Sequence, residues 1–596
     1  MKLDRPLYDV RTINTLKEML DGSVELYGDK TVFLTKPIPK KPYVPVTYKQ
    51  YGHDVNSFGS QLMKMGVRKN IRVAIVAETR YEWWVTYPAV VNGEAIIVPI
   101  DKELPVEDMH NMFRRAEISM VVYSDRFRDK VHEAAEGLDC IKAFVLMDNQ
   151  KEQPTEGLPA PAGKNGITEY SWKGLLQAGE KLLASGFTDF TECEIDPHEM
   201  RILLFTSGTT DDSKCVMHSH YTISKNLMAM CQMFWIGDDT FLSILPLHQP
   251  DACTYGFPCE VSRGSTLAQN EALRSTPDNN NESNTTCLLT VPLLMETFHK
   301  KIWKAIDKQG KRKQVEFAIK LTRGLRKIGI DLRRKVFSDI HDTFGGKLRM
   351  MITGGAAIDP QVLQDLNDFG ILSVQGYGLT ECGPILALNR DVKFQNNSAG
   401  MPMPGVDIKI DHPDEEGVGE ILGKGPNVFL GYYGDPEKTK EAFTEDGYFR
   451  TGDYGYLDDP KDKFVIITGR KKNVIVTKNG KNVYPEGLEA ILCRNPEIAE
   501  AVVSGKEGRG NDIVVSVEIY PDMDEVEARL GKKNPSEEEL MSLMHDLVTE
   551  MNHQVSSYEA IRQISLRDTP FEKNTSQKIL RDYRKKDKNK KAKKDA

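Results

Sequence analysis

The sequence has 596 residues and a mass of 67.2 kDa, a length that predicts about three or four folding units rather than one small module. Hydrophobic residues make up 40% and charged residues 28%, a balance typical of globular proteins that excludes a fibrous or wholly disordered chain. The net charge of -8 argues against a body that binds nucleic acid through a basic surface.

The first predicted elements alternate between strand and helix. The segment IRVAIVAE from Ile71 predicts a buried strand, RYEWWVTYPAVVNG a helix that ends at Gly93, and AIIVPI the next strand. PVEDMHNMFRRA then predicts an amphipathic helix with acidic residues in its first turn, and ISMVVYSD predicts another strand. This alternation is typical of a parallel sheet covered by helices.

A second α/β region is predicted between about residues 201 and 378, after a surface loop rich in Pro and Gly at 148–166. A polar stretch, RSTPDNNNESNTT, and a basic helical segment at about 300–340 interrupt this region. Beyond Asn389, short segments with Gly and Pro turns predict a small β unit. The chain after GRKKN at 469–473 predicts a separate small α+β domain.

Charge is concentrated at the end of the chain. The last sixteen residues, from Arg581, carry nine Lys or Arg against three Asp. Such a run predicts a solvated, disordered terminus, with contact to acidic lipid or RNA as the open alternative.

The nine cysteines show no CxxC or zinc-finger spacing, which indicates a reducing compartment. The N-terminus lacks a secretory signal pattern, and no uncharged apolar stretch reaches the length of a membrane helix. We therefore expect a cytoplasmic protein, with peripheral membrane association left open.

The strongest local motif is LLFTSGTTDDSKCVMHSH at 203–220, where an apolar strand runs into a loop of small and hydroxyl residues. Backbone amides, hydroxyls and a lysine together suit a polyphosphate. The candidate phosphate ligands are Thr206, Ser207, Gly208, Thr209, Thr210, Ser213 and Lys214. A polar surface turn is the alternative, because the GxxxxGK[ST] pattern of P-loop proteins is not matched.

Further motifs follow in a fixed order. They are TGGAAIDP at 353–360, QGYGLTE at 375–381, GYFRTGDYG at 447–455, GRKKNVIVTKNGKNVYP at 469–485 and PFEKNTSQKILR at 570–581. With the TSGTT loop they make the chain resemble the adenylate-forming superfamily of acyl-CoA synthetases, adenylation domains and luciferases. The resemblance spans nearly the whole chain and is closest to the bacterial long-chain fatty acyl-CoA ligases.

The resemblance implies an α/β fold with a large N-terminal adenylation domain and a small mobile α+β C-terminal domain. The large domain would contain two α/β subdomains and a small unit resembling a β-barrel. The expected boundaries are 1–470 for the adenylation domain, 471–580 for the C-terminal domain and 581–596 for the basic tail.

The resemblance also implies a role for each motif residue. Tyr377 would lie against the adenine, with Gly354, Gly355 and Ala356 as the opposite wall, beside Gln375, Gly376 and Gly378. Glu381 and Thr206 would bind Mg²⁺, and Thr380 would form a hydrogen bond with the α-phosphate. Asp453 would accept hydrogen bonds from the ribose hydroxyls. Arg470 would contact the ribose or phosphate. Lys578 would bridge the attacking carboxylate and the α-phosphate.

The implied reaction has two steps. A fatty acid of medium or long chain attacks the α-phosphate of ATP to give an acyl-adenylate and pyrophosphate, and the thiol of CoA then displaces AMP. The C-terminal domain would rotate between the steps about a hinge at Lys472, and the loop around Gly480 would then line the pantetheine channel. Fatty acid, ATP and CoA are the expected small-molecule partners, with no nucleic acid and with the oligomeric state open.

The sequence departs from the family pattern in two places. Asp211, Asp212 and Cys215 stand in the phosphate loop, where carboxylates oppose an anion and replacement of glycine predicts backbone strain. Gln249 and Pro250 follow His248, in the segment that resembles the acyl pocket, where Ala252 and Cys253 leave room for a pocket of unknown depth.

Two alternatives to a fatty acid CoA ligase therefore stay open. One is a ligase for another acid or for a carrier-protein thiol. The other is a catalytically weakened adenylate-binding protein.

Overall fold

The computed structural model of the protein describes residues 7–148, 167–206, 213–477, 481–507, 513–573 and 579–581. The chain forms two compact units. The large unit contains the described residues up to Gly355 together with Pro360–Ile408 and Gly423–Phe449. The small unit contains Ala356–Asp359, Lys409–Leu422 and the described residues from Arg450 onward. The predicted surface loop at 148–166 lies, except for Asp148, outside the described residues.

The large unit begins with the predicted alternation of strands and helices. Its first elements are α1 (Leu16–Tyr27), β1 (Thr31–Thr35), β2 (Val44–Thr47), α2 (Tyr48–Lys64), β3 (Arg72–Val76), α3 (Tyr81–Val91), β4 (Ile96–Pro99), α4 (Val106–Arg115), β5 (Met120–Tyr123), a 3-10 turn (Asp125–Phe127), α5 (Arg128–Ala134) and β6 (Ala143–Leu146). β3 pairs in parallel with both β4 and β5. The predicted βαβ pattern is confirmed, although α3 ends two residues before Gly93.

The second α/β region completes the large unit's sheets. Its elements are β7 (Thr168–Ser171), α6 (Trp172–Ala184), β8 (Met200–Phe205), β9 (Cys215–Ser219), α7 (His220–Met233), β10 (Thr240–Ser243), a π-helical turn (Asp251–Gly256), α8 (Phe257–Ser262), β11 (Thr266–Gln269), a 3-10 turn (Leu273–Ser275), α9 (Thr276–Glu282), β12 (Cys287–Thr290), α10 (Pro292–Lys308), α11 (Arg312–Lys327), α12 (Arg333–Val336), α13 (Ser338–Thr343), β13 (Met350–Thr353), α14 (Pro360–Phe369), β14 (Leu372–Gly378), a 3-10 turn (Thr380–Cys382), β15 (Ile385–Leu388) and β16 (Met401–Pro402). The expected basic helices are present as α10 to α13.

The polar stretch RSTPDNNNESNTT does not simply interrupt the region, as its composition suggested. It forms α9, with a proline in its first turn and with Asn279 and Asn280 buried. The buried amide of Asn280 is held by its nitrogen, since Nδ2 donates to the Phe344 carbonyl over 2.9 Å. A stretch that its composition marked only as a polar interruption therefore contains a helix.

The remaining elements follow from Asp407 toward the end of the described chain. They are β17 (Asp407–Asp411), β18 (Gly419–Lys424), β19 (Gly431–Tyr432), α15 (Pro436–Glu441), β20 (Phe449–Asp458), β21 (Phe464–Arg470), a 3-10 turn (Lys471–Asn473), β22 (Ile475–Val476), β23 (Asn482–Val483), α16 (Pro485–Leu492), β24 (Ile498–Glu507), β25 (Ile513–Pro521), α17 (Met523–Leu530), α18 (Glu537–Asn552) and β26 (Gln563–Leu566).

Two mixed sheets, largely parallel, form the large unit. One has the strand order β19-β9-β8-β4-β3-β5-β6-β7 and the other the order β16-β15-β14-β13-β12-β10-β11-β1-β2. Their central strands β3, β4 and β13 are mostly apolar and almost wholly buried, as expected for strands covered by helices on both faces. An aromatic core includes the fully buried Trp83 and Trp84, with Trp84 stacked on Phe33 at 4.3 Å between ring centroids. Two sheets are present as predicted, but their boundaries differ: β8 and β9, from the predicted second region, join the first sheet, and β1 and β2 join the second.

Three further sheets belong to the later part of the chain, one of them the two-stranded pair of β22 and β23. The order β17-β18-β20-β21 makes a four-stranded sheet where the sequence predicted a small β unit. The order β24-β25-β26 makes a three-stranded sheet whose apolar face packs with α16 and α18. The predicted α/β class with a smaller α+β part is thereby confirmed, while the boundary at 470 stays a prediction. Within the described ranges, no helix is both long and apolar enough to cross a bilayer.

Candidate active site

The base of the candidate phosphate loop is an antiparallel hairpin of β8 and β9. Phe205 pairs with Cys215, and the next pair closes through the Thr206 amide donating to the Lys214 carbonyl over 3.0 Å. The Lys214 amide returns a bond to Thr206 Oγ1 over 2.9 Å, and Ser213 Oγ donates to the Thr206 carbonyl over 2.9 Å. The hairpin therefore fixes the two ends of the loop relative to each other.

A chain of hydrogen bonds runs from this hairpin to the predicted metal ligand. Lys214 Nζ donates to the Tyr432 hydroxyl over 3.0 Å and lies 4.6 Å from the centre of its ring. The same hydroxyl donates to Glu381 Oε1 over 2.9 Å. Burial and the Glu381 carboxylate raise the pKa of Tyr432, so the phenol keeps the proton that it donates. Lys214 and Glu381, which the sequence predicted as phosphate and metal ligands, thus share one tyrosine.

Strand pairing explains how Tyr432 reaches this position. Its strand, β19, pairs with β9, with Tyr432 opposite Val216 and Gly431 opposite Met217. Tyr432 therefore lies beside Lys214, although more than two hundred residues of sequence separate the two. It is a site residue that sequence reasoning missed, because no local motif signals the pairing of these two strands.

The turn that carries Thr380 and Glu381 is held by a buried histidine. His218 Nε2 donates to the Thr380 carbonyl over 2.7 Å, since a carbonyl can only accept. Burial lowers the pKa of His218 to about 4, while this hydrogen bond opposes the shift. The ring is therefore neutral at pH 7. The Phe429 amide donates to the Glu381 carbonyl over 2.8 Å and ties the same turn to the segment before β19. His218 was also missed from the sequence.

The predicted adenine wall lies at the ends of β13 and β14. These strands pair in parallel with Thr353 opposite Gln375, which brings Gly354 close to the Gly376 carbonyl. At Gly378 a Cβ would come within 1.8 Å of the Pro384 carbonyl oxygen, so only glycine fits there. Tyr377 is buried, and Gly355 and Ala356, which follow Gly354, are exposed. Gln375 Nε2 donates to the Asn396 carbonyl over 3.1 Å.

The predicted ribose and phosphate ligands of the small unit lie in one hairpin. Asp453 on β20 stands directly opposite Arg470 on β21, and Arg470 Nε lies 3.1 Å from Asp453 Oδ1. Asp453 is buried whereas Arg470 is half-exposed. The pairing holds the carboxylate in one orientation. Lys472 follows in a 3-10 turn and is exposed.

Glu420 supports this hairpin and was not predicted. Its carboxylate is buried, accepts from the Gly452 amide over 3.2 Å and from Lys471 Nζ over 2.8 Å, and lies near Arg450. Thr451 Oγ1 donates to the Ile421 carbonyl over 2.7 Å and accepts from the Asp453 amide over 3.1 Å. One buried carboxylate thus anchors the residue before Asp453 and the residue after Arg470. An acidic residue in a strand carried no signal of this role.

The prediction of backbone strain at Cys215 is wrong. Cys215 lies in β9 as an ordinary paired strand residue and is buried. Burial raises the pKa of its thiol to about 12, so it packs as a small neutral side chain. The position follows the loop and does not require the conformational freedom of glycine.

The segment resembling an acyl pocket forms the π-helical turn Asp251–Gly256. Ala252 and Cys253 are buried in it. His248 Nε2 lies 3.5 Å from Asp101 Oδ2; burial lowers the pKa of His248, and the Asp101 carboxylate opposes that shift. The backbone amide of Gln249 donates to the Pro246 carbonyl over 3.0 Å. π-Helical turns are frequent at functional sites, and the role of this segment as an acyl pocket stays a prediction.

Several predicted site residues lie outside the described residues. They are Ser207, Gly208, Thr209, Thr210, Gly480 and Lys578, together with the acidic pair Asp211 and Asp212.

The described residues fit a magnesium ion whose coordination shell is completed by the substrate. Glu381 offers a carboxylate and Thr206 a hydroxyl, both hard oxygen donors of the type Mg²⁺ prefers. Among the described residues no group of three or more His, Cys, Asp or Glu side chains is arranged to hold a metal ion. Mg²⁺ typically uses one or two carboxylates and completes its shell with phosphate oxygens and water. The donor set fits that mode of binding rather than a cage built of protein alone.

Comparison with known proteins identifies the family of the chain. A family profile described as AMP-binding enzyme matches residues 20–433, and one described as AMP-binding enzyme C-terminal domain matches residues 472–589. The long-chain-fatty-acid CoA ligase heimdall of Drosophila melanogaster is 27% identical over 88% of this chain and 79% of its own length. A chloroplast long-chain-fatty-acid acyl-carrier-protein ligase of Arabidopsis thaliana is 25% identical over 92% of this chain and 81% of its own.

Among solved structures, the crystal structure of ATP-bound MatB from Rhodopseudomonas palustris has a TM-score of 0.71 to this chain at 20% identity. The match covers 96% of this chain and 98% of that one. At this identity the likeness concerns the fold, and it matches the α/β class predicted from the sequence.

Proposed function

The chain belongs to the family of AMP-binding enzymes, and from this premise we propose that it activates a long-chain fatty acid with ATP and transfers the acyl group to CoA. The products would be acyl-CoA, AMP and pyrophosphate. The observation that carries the proposal is the likeness to a long-chain-fatty-acid CoA ligase along 88% of the chain. The arrangement of Lys214, Tyr432 and Glu381 supplies the chemistry that the first step needs.

In the first step the β8–β9 hairpin would hold the polyphosphate. Lys214 gives a positive charge at one end of the loop, and its position is fixed by Tyr432. Thr206 to Thr210 would add hydroxyl and amide donors. Because attack of a carboxylate on the α-phosphate is mainly a matter of positioning and charge stabilisation, a rigid lysine beside the phosphates lowers the barrier.

Glu381 and Thr206 would hold Mg²⁺, which when bound neutralises phosphate charge. The residues of this chain prepare that position. Tyr432 orients the Glu381 carboxylate through its hydroxyl, and His218 holds the Thr380 carbonyl at the start of the same turn. Thr380 would then present its hydroxyl to the α-phosphate.

The nucleoside would be held by two groups of residues. Tyr377, Gly354, Gly355, Ala356, Gln375, Gly376 and Gly378 would surround the adenine, and Asp453 would accept both ribose hydroxyls. A carboxylate is a natural acceptor for two adjacent hydroxyls, and Arg470 keeps that carboxylate oriented. Lys578 would bridge the attacking carboxylate oxygen and the α-phosphate.

The second step would use different groups around the same acyl-adenylate. The thiol of CoA attacks the acyl carbon, the bond from that carbon to the phosphate oxygen breaks, and AMP leaves. Lys472 would act as the hinge for this change and Gly480 would line the thiol channel.

A carrier-protein thiol is the second candidate acceptor. The Arabidopsis thaliana relative, similar over 92% of this chain, is named as a ligase for acyl-carrier protein. The adenylation step would be the same, and only the surface that receives the thiol would differ.

The decisive test is acid-dependent exchange of pyrophosphate into ATP. We expect fatty acids of medium or long chain to stimulate exchange, and CoA or carrier protein to consume the adenylate. If no carboxylic acid stimulates exchange, the enzyme hypothesis fails and a weakened adenylate-binding protein remains.

A single variant separates the two steps. We expect Lys578→Ala to abolish exchange but to leave thioester formation from supplied acyl-adenylate largely intact, because its charge would act only in the first transition state. The variant Lys573→Ala in the same segment serves as the control, since Lys573 Nζ already pairs with Glu500. Equal loss in both steps would contradict the role of Lys578.

A further inference from the structure

The segment from Lys311 to Val336 in the large unit differs in charge from the rest of the chain. It carries ten Lys or Arg against Glu316 and Asp331, a net charge of +8 in a protein whose total is -8. Most of it is α11, followed by an exposed connection and the short α12. The positive charge is therefore gathered on one helix and its continuation.

One face of α11 is apolar and exposed. Phe317, Leu321, Gly324 and Ile328 follow one another at spacings of four, three and four residues, so they lie within an arc of about 60° on the helix surface. The side chains of Phe317, Leu321 and Ile328 are 68%, 51% and 71% exposed. We refer to these four residues as the exposed stripe.

The exposed stripe is not the face by which α11 packs on the large unit. Ile319 and Thr322 are the buried residues of this helix. Arg323 Nε donates to Asp368 Oδ1 on α14 over 2.9 Å, and Asp368 is buried. The helix is therefore anchored by one side while the exposed stripe points away from the core.

A row of lysines runs beside the exposed stripe. Lys313, Lys320 and Lys327 are seven residues apart and so lie nearly in line along the helix. None of the three forms an ion pair with any residue that the structure describes. By contrast, Arg312 pairs with Asp307 and Arg333 with Asp331. The unpaired positive charges thus lie beside the exposed stripe.

The same character continues beyond the helix. Ile330, Leu332 and Val336 are exposed large apolar side chains, and Lys335 is exposed between them. Contiguous exposed apolar residues of this size are uncommon on a monomer and mark an interaction surface.

We propose that this surface binds an anionic phospholipid bilayer, with α11 lying in the plane of the headgroups. The exposed stripe would enter the boundary between headgroups and acyl chains, and the lysine row would contact the lipid phosphates. Charge and apolarity together favour an anionic bilayer as the partner. A row of unpaired lysines requires an anionic surface, and exposed Phe, Leu and Ile side chains require an apolar phase beneath that surface. Nucleic acid satisfies only the first requirement.

The test is partition of the full-length protein onto vesicles, measured by flotation without ATP or acid, so that its outcome is independent of the proposed activity. We expect binding to vesicles of phosphatidylglycerol and phosphatidylcholine and little to phosphatidylcholine alone. The triple variant Lys313→Glu/Lys320→Glu/Lys327→Glu should lower the partition coefficient about a hundredfold. The variant Phe317→Ser/Leu321→Ser, which changes no charge, should lower it about tenfold.

Matched controls separate this surface from overall charge and apolarity. The variant Lys49→Glu/Lys142→Glu/Lys173→Glu makes the same charge change at exposed lysines elsewhere in the large unit. Leu26→Ser/Ile38→Ser removes two side chains that are each 61% exposed. Neither should change partition more than about twofold, since each lies outside the surface. Thermal unfolding of every variant shows that the comparison is made between folded proteins.

Four results would overturn the proposal. The first is absence of binding to anionic vesicles at low salt. The second is an equal effect of the Lys49/Lys142/Lys173 control. The third is full binding by Phe317→Ser/Leu321→Ser, which would leave only nonspecific attraction of the kind a nucleic acid also provides. The last is loss of all binding when the seven lysines between 585 and 594 are replaced by glutamine, which would assign it to the tail.

Discussion

The candidate site residues of the large unit and those of the small unit are positioned in opposite ways. In the large unit, Lys214, Tyr432 and Glu381 come from three distant parts of the sequence and meet because β19 pairs with β9. In the small unit, Asp453 and Arg470 are seventeen residues apart and face each other across one hairpin. The first arrangement depends on the fold of the whole unit, whereas the second depends on a local turn and one strand register.

The difference has a consequence for how each part responds to change. A local hairpin keeps its register when distant contacts weaken, because its two strands are joined directly. The Lys214–Tyr432–Glu381 arrangement has no such local support, and it rests on buried groups such as His218 and on the edge pairing of β19. The large unit also contains a comparable set, Arg72, Tyr433 and Glu117, in which Tyr433 donates to Glu117 Oε2 over 2.8 Å. This neighbouring set provides controls.

The largest effect is expected at Glu381. Glu381→Gln keeps the size of the side chain but removes the charge proposed to bind Mg²⁺, and the rate of pyrophosphate exchange should fall about a hundredfold or more. Glu117→Gln makes the same change in the neighbouring tyrosine pair. It should alter the rate of exchange less than about twofold, because substitution of a surface group typically changes the free energy by no more than roughly 0.5 kcal/mol. Similar losses in both variants would show that exchange responds to general damage and not to the proposed metal ligand.

A smaller effect is expected in the local hairpin. Asp453→Asn should raise the KM for ATP about thirtyfold with less change in kcat, because hydrogen bonds to a charged acceptor contribute roughly 1.5–3 kcal/mol. The control is Asp411→Asn, which removes a partner of Arg450 in the same sheet. A KM for ATP that stays unchanged in Asp453→Asn would contradict contact between this carboxylate and the ribose.

Removal of the tyrosine hydroxyl sharpens the comparison. Tyr432→Phe keeps the ring beside Lys214 but frees both Lys214 and Glu381, so kcat for adenylation should fall about tenfold, the equivalent of about 1.4 kcal/mol. Tyr433→Phe is the matched control because it removes the corresponding hydroxyl from the neighbouring set. If Tyr432→Phe has full activity, the hydrogen-bond chain does not position the site.

The smallest effect concerns pH. His218 and His220 are buried, and burial lowers the pKa of each to about 4 from an ordinary value near 6.5. The unfolded chain binds the proton more readily, so stability is complete above pH 6.5 and is lost as the pH falls toward 4. At pH 6 the loss is about 0.8 kcal/mol for each histidine.

Amide hydrogen exchange shows where in the fold this stability is lost. Amides of the Thr380–Cys382 turn, which His218 holds, should exchange faster at pH 6 than the intrinsic pH dependence predicts. Amides of the β20–β21 hairpin serve as the internal reference. Equal change in both regions would remove the distinction between the long-range and the local part of the site.

Particular residues show how far sequence reasoning reached. The strand and helix order from Ile71 to Asp125 was predicted because apolar runs and first-turn acids are local signals. Asp453 and Arg470 were each predicted as ligands from adjacent motifs, whereas their pairing across one hairpin was seen only in the structure. Tyr432, His218 and Glu420 were missed, since their roles depend on partners that are 32 to 218 residues away. The strain expected at Cys215 was wrong because the loop ends one residue earlier, in the pair formed by Thr206 and Lys214.

The sequence by itself determined the α/β class, the order of the motifs, the membership of the family and the basic character of the helices around residue 320. These properties are written in short stretches whose chemistry is local. Only the tertiary structure decided that a tyrosine joins Lys214 to Glu381, that a neutral histidine holds the Thr380 turn, and that the apolar stripe of α11 faces outward. Each of these depends on which strands pair and which helix face is buried, and burial is a property of the whole fold rather than of any segment.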